Sequence, residues 1–137
     1  MKAVVADASL CGAWILDDEA SAAADRLLQD ILSGQSHLII PALWHYEMTN
    51  LLRSAVRRKR LSEDDAQTAL ETLAAIPLYQ EDQPDPMARN RLFHLSRQFS
   101  LSAYDAAYLE LADRLKIPLL TGDQALQKAA RHLGLPE

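Results

Sequence analysis

Short apolar runs alternate with longer stretches of helical spacing along nearly the whole 137-residue chain. The runs at 3–6, 37–40 and 117–120 are too brief for helices and rich in Val, Ile and Leu, with a further short strand expected at 77–80. Between them, apolar residues recur every three or four positions over 17–32, 41–60, 62–76, 87–99, 102–115 and 123–133. Gly34 and Gly134 stand just past two of these segments, Pro41 suits the first turn of another, and Ser62 with Asp65 makes a capping-box pattern. Strands separated by helices need crossover connections, which give a parallel sheet with helices on both faces. The expectation is therefore a single α/β domain over residues 1–137, with three layers (helices, sheet, helices). Strands buried on both faces account for the continuous apolar runs. In such folds ligands bind beyond the carboxyl ends of the strands.

Two acids follow expected strands at that end: Asp7 in VVADAS and Asp123 in LLTGDQAL. Glu47 lies in the early turns of the helix after the second strand, and Asp105 in the first turn of its own helix. All four can face one edge of the sheet. Each also has an ordinary structural reading. Asp7 can open a turn or cap a helix, Asp123 can be an N-cap, and Asp105 completes a capping box with Ser102. Glu47 is harder to explain so, because Trp44, Met48 and Leu51 beside it are apolar. A carboxylate at the border of a buried stripe needs a partner or a metal. Four carboxylates in one pocket repel one another, and a divalent cation relieves that repulsion. Oxygen-only ligands favour Mg²⁺ or Mn²⁺ over zinc.

Composition narrows the alternatives. A net charge of −5 argues against binding nucleic acid through bulk charge, though not against an enzyme that holds it locally. The single cysteine, Cys11, excludes an intrachain disulfide and a four-thiolate zinc site, and a reducing cytoplasmic compartment is expected. No segment has the length of a membrane span or a signal peptide. The four histidines have no metal-protease spacing, Ser9 lacks a nucleophile-elbow context, and no P-loop or GxGxxG is present.

ADAS at 6–9, PALWHYEMTNLL at 41–52, SAYDAAYLELA at 102–112 and LLTGDQALQKAA at 119–130 together resemble the PIN-domain ribonucleases of the VapC toxin type. The blocks occur in the family's order and span the chain, and the resemblance implies a PIN-like fold. It assigns the catalytic and metal-binding acids to Asp7, Glu47, Asp105 and Asp123, with Ser9, Asn50 and Thr121 as polar residues that support them. It also implies Mg²⁺- or Mn²⁺-dependent endoribonuclease activity, a homodimer and a cognate VapB-type antitoxin. Other PIN proteins process RNA without being toxins, and a non-catalytic interaction domain is the reading from a different class. Arg53, Arg57, Arg58, Lys59 and Arg60 are candidates for contact with RNA or antitoxin, or else cations suited to the end of a helix. Trp14, Trp44 and Tyr46 cluster in the N-terminal third, and part of that apolar surface is expected to meet a partner.

Overall fold

The computed structural model describes residues 2–19 and 21–137. Four strands form one parallel sheet in the order β3-β2-β1-β4. They are β1 (Lys2–Ala6), β2 (Ser36–Pro41), β3 (Tyr79–Glu81) and β4 (Leu119–Leu120). Seven α-helices connect and follow them: α1 (Ala8–Cys11), α2 (Ala22–Leu32), α3 (Leu43–Arg57), α4 (Glu63–Ala75), α5 (Pro86–Gln98), α6 (Ala103–Leu115) and α7 (Gln124–His132).

From β1 the chain steps to β2 and then β3 on one side, and β4 lies on the other side of β1. Right-handed crossovers then put the helices before and after that reversal on opposite faces. Accordingly α2 and α3 pack on β2, whereas α6 packs on β1, β2 and β4. Val5, Ala6, Leu38 and Ile40 are fully buried between the layers. Helix α6 is buried almost all round, since Ala106, Tyr108, Leu109, Leu111 and Ala112 are each at most 2% exposed. That is the physical meaning of the near-continuous apolar sequence AYDAAYLELA.

Several expected boundaries move for identifiable reasons. Pro41 ends β2 instead of opening a helix, a position a residue without an N–H tolerates at a strand's end. The segment 17–32 divides into a 3-10 turn at Asp17–Glu19 and α2, whose N-cap Ser21 accepts a hydrogen bond from Ala24 N at 3.2 Å. Helix α3 stops at Arg57 and the chain turns back through Lys59 at φ +61°. Pro77 and Pro118 lack ladder donors, and β3 and β4 begin only after them. The one-turn helix α1 and the 3-10 turn Gly12–Trp14 behind it have no expected counterpart. Gly12 lies close under α3, where a Cβ would come within 2.9 Å of Leu51 Cδ1 and that side chain would have to shift.

The expected aromatic surface is mostly core. Trp44 is 1% exposed, and Trp14 is half-buried with its indole N–H donating to Ala24 O at 2.8 Å. Two large rings with that much apolar area settle inside when the sheet offers cover. Only Tyr46 of the three is exposed.

Candidate active site

The reversal of strand order lies between β1 and β4, and Asp7 and Asp123 leave the sheet on either side of it. Val5 pairs with Leu119 and Ala6 with Leu120, so the next residues in register are Asp7 and Thr121. This is the crevice where doubly wound sheets place their ligands.

Asp7 is 4% exposed and tightly wired. Its Oδ1 accepts from Ser9 Oγ at 2.7 Å and from Leu10 N at 3.2 Å, and its Oδ2 accepts from Thr121 Oγ1 at 2.6 Å. A hydroxyl has one proton, so with both donated to Asp7 the 3.2 Å approach of Ser9 Oγ to Thr121 Oγ1 is a contact between two acceptors. Those acceptors are used in turn: Gly122 N donates to Ser9 Oγ and Asp123 N to Thr121 Oγ1, each at 3.0 Å. The loop after β4 is thereby laced to the loop after β1. The approach brings Gly122 against Ser9, where an added Cβ would stand 3.4 Å from Ser9 Oγ, at ordinary contact distance.

Glu47 reaches the same edge from the second turn of α3. Its Oε1 accepts from Tyr108 Oη at 2.5 Å, which ties α3 to α6. Asp105 enters from the first turn of α6, with its backbone N bonded to the Ser102 cap at 3.0 Å. Asp123 caps α7 by accepting from Leu126 N at 3.0 Å. The capping readings of Asp7, Asp105 and Asp123 thus describe real local geometry that coexists with their convergence.

The convergence shows in the carboxyl acidities. Burial raises Asp7 above the usual aspartate range, the hydrogen bonds from Thr121, Ser9 and Leu10 partly offset it, and the charge of Asp123 adds to the rise. Glu47 is raised by burial and by the charges of Asp105 and Asp7, against the opposing bond from Tyr108. Asp105 is raised by burial and by Asp123 and Asp7, against Ser102. Every one of the four lies within electrostatic reach of two others. Among the described residues, however, no three His, Cys, Asp or Glu side chains stand close enough to hold a metal ion as they lie. The donor set still fits a hard divalent cation, being all oxygen, mutually repelling and at least partly shielded from water.

Tyr108 is the member of this site that sequence reasoning missed. It is fully buried and three residues after Asp105, one turn along α6. A buried tyrosine needs a partner for its hydroxyl, and that was the available signal.

Asn50 is exposed on the wall of a cleft of about 470 Å³ beside Glu47, with Ser9 and Tyr46. The basic run is divided. Arg53 lines the adjoining groove with Tyr46 and Asn50, while Arg57, Arg58 and Lys59 are exposed. Arg60 is engaged by Asp18 at 2.6 Å and Glu19 at 3.5 Å. Burial pushes the Cys11 thiol up to about 12, so it is a neutral core side chain.

The PIN domain family matches residues 4–132 of this chain. Ribonuclease VapC1 of Mycobacterium tuberculosis is 33% identical over 110 residues, 80% of this chain and 74% of that protein. Ribonuclease VapC3 of Pyrobaculum aerophilum is 34% identical over 132 residues, 92% of each. The chain belongs to the PIN domain family, of VapC type. The crystal structure of PAE2754 from Pyrobaculum aerophilum matches with a TM-score of 0.70 at 23% identity, over 93% of this chain and 79% of that one. This PIN domain therefore shares its three-layer fold with a solved structure, and its acids lie at the crevice of that fold.

Proposed function

We propose that this PIN domain is a Mg²⁺- or Mn²⁺-dependent endoribonuclease, and the toxin of a pair with a VapB-type antitoxin. The reading is supported by Asp7, Glu47, Asp105 and Asp123 each lying within electrostatic reach of at least two of the others near the strand-order reversal. Relatives named as VapC ribonucleases at 33–34% identity support the substrate class and the toxin role. A homodimer and a cytoplasmic setting belong to the same proposal. Among the described residues no helix is long and apolar enough to cross a membrane.

Asp7, Glu47, Asp105 and Asp123 would hold the cation, directly or through water. When bound, it supplies Lewis acidity, which acidifies a water and offsets charge on the phosphate and the leaving oxygen. The chain's own residues do the rest. Ser9, Leu10 N and Thr121 fix Asp7 in one orientation. Tyr108 aims Glu47. Asp105, half-buried in the first turn of α6, would accept the proton of the attacking water. The water oxygen bonds to phosphorus as the P–O3′ bond breaks, and the departing O3′ takes up a proton from solvent. The products carry 5′-phosphate and 3′-hydroxyl ends.

The test is cleavage of an end-labelled RNA in Mg²⁺ or Mn²⁺, with EDTA and with Asp7→Asn as controls. Cleavage that persists in EDTA, or leaves 2′,3′-cyclic ends, would overturn the reading.

A further inference from the structure

A site built of four carboxylates on a protein of net charge −5 cannot draw in a polyanion by charge alone. Affinity for RNA has to come from elsewhere on the same surface. Two tyrosines stand at the mouth of the candidate site, Tyr46 at 74% exposure and Tyr104 at 64%. Each immediately precedes a site acid, Tyr46 before Glu47 on α3 and Tyr104 before Asp105 on α6. Successive helical residues point about 100° apart. Each ring therefore flanks its carboxylate and does not cover it. Both rings line the cleft of about 470 Å³ that also contains Ser9, Glu47 and Asn50. Tyr46 borders in addition the groove that runs on past Asn50 to Arg53. Along α3, Tyr46, Glu47, Asn50 and Arg53 thus follow one another, and Tyr104 faces the same cleft from α6.

Resting on the nuclease reading, we propose that Tyr46 and Tyr104 form a stacking platform for an unpaired base next to the scissile phosphate, with Arg53 meeting a backbone phosphate farther along. Such a platform needs a base that is free of its neighbours, as in an unpaired stretch. A paired base has both faces occupied by its neighbours in the helix, whereas a splayed base offers a free face to an aromatic ring. Stacking is tolerant of sequence and independent of charge, which is what an acidic surface requires of its substrate contacts. Both rings are largely exposed, so neither is needed to fill the core.

The test separates binding from cleavage. Affinity for a short fluorescein-labelled single-stranded RNA is measured in Mg²⁺ in the Asp7→Asn background, and steady-state cleavage in the background that keeps Asp7. Tyr46→Ala and Tyr104→Ala are each expected to weaken binding about five- to hundred-fold, the range for losing one base–aromatic stack. In the cleaving background the same changes raise KM and leave kcat near its starting value. Tyr46→Phe and Tyr104→Phe keep the ring and restore both. The same sequence as a duplex binds at least about ten-fold more weakly than the single strand. Thermal melting of all four variants should match their parents, which guards against an unfolding artefact. Alanine variants that bind single strands as tightly as their parent, while Asp7→Asn stops cleavage, would overturn the platform and leave the nuclease standing. A cleft serving only a protein partner gives that outcome. Tyrosine-dependent RNA binding with no cleavage in Mg²⁺ or Mn²⁺ would do the reverse.

Discussion

The acidic site has two wings built in different ways. Asp7 and Asp123 sit at the ends of adjacent strands, and Ser9, Thr121 and three backbone N–H groups lace those loops together. Glu47 and Asp105 come from the early turns of two helices, and Tyr108 alone spans between those helices to a carboxylate. Asp7 is 4% exposed, while Asp123, Glu47 and Asp105 are half-buried, so the wings differ in how their acids are wired more than in burial. A parallel ladder fixes the position of a strand end to a fraction of an ångström, whereas a side chain on a half-buried helix turn keeps rotamer freedom. One wing is preorganised and the other adjusts. A cation held here would use both, since a rigid anchor lowers the entropic cost and a mobile carboxylate completes the coordination.

Removing the anchor should have the largest effect. Asp7→Asn is expected to lower RNA cleavage by about 10³-fold or more, because on the proposed reading several kcal/mol of charge stabilisation depends on the cation it would hold. The fold should survive. The introduced amide can donate to Thr121 Oγ1, whose proton then turns to Ser9 Oγ 3.2 Å away. The loss of one charge also relieves repulsion with Asp123. The melting temperature without metal should equal or exceed the original, and the rise on adding Mn²⁺ should shrink. A variant that cuts RNA at the original rate would remove Asp7 from the site altogether.

Second in size is Thr121→Val, which keeps the shape and deletes the hydroxyl. Asp7 Oδ2 loses its donor and Asp123 N its acceptor. The expected cost is about 1–3 kcal/mol in stability, with about a 10–100-fold loss in metal affinity. Denaturant melts and Mn²⁺ titration measure the two separately. A loss of activity with no change in either would show that the wiring of the rigid wing is not what matters.

Tyr108→Phe is the counterpart on the mobile wing and should do less. Glu47 keeps access to water when its phenolic donor goes, so the expected loss is about 3–10-fold in metal affinity and under about 1 kcal/mol in stability. If Tyr108→Phe proves more damaging than Thr121→Val, the comparison is inverted and the helix wing is the anchor.

The same division explains what could be read from the chain. The strands at 3–6 and 37–40 are whole apolar runs in the middle of the sheet, and pattern alone marks them. Beta3 and β4 have three and two residues, too few for a pattern, so the prolines beside them set their limits. The acids were legible because a carboxylate at a strand end or beside an apolar helical stripe is conspicuous. The bonds that hold them were not. Thr121 meets Asp7 across 114 positions and Tyr108 meets Glu47 across 61, and nothing local in the chain records such pairings. Trp14 and Trp44 misled for the related reason that a large ring has the same letters whether it lies under a helix or on one.

The smallest expected effect is the dependence of stability on pH without metal, and it bears on both wings together. Asp7, Glu47 and Asp105 all have pKa values shifted upward, with burial the largest cause in each. A carboxyl whose folded pKa exceeds its unfolded pKa binds its proton more tightly in the folded state. Its contribution to stability is full below the unfolded pKa and is lost as pH rises through the folded one. The metal-free protein should therefore melt at a higher temperature near about pH 5 than near about pH 7, opposite to the trend set by ordinary ion-paired carboxylates. Saturating Mn²⁺ should flatten or reverse that slope, since a bound cation keeps the carboxylates ionised. Asp7→Asn should reduce the slope by more than Asp105→Asn does, because Asp7 is the more buried of the two. An equal reduction from both would mean that the two wings share the repulsion evenly. A metal-free slope of the opposite sign would mean that the four acids do not burden the fold at all.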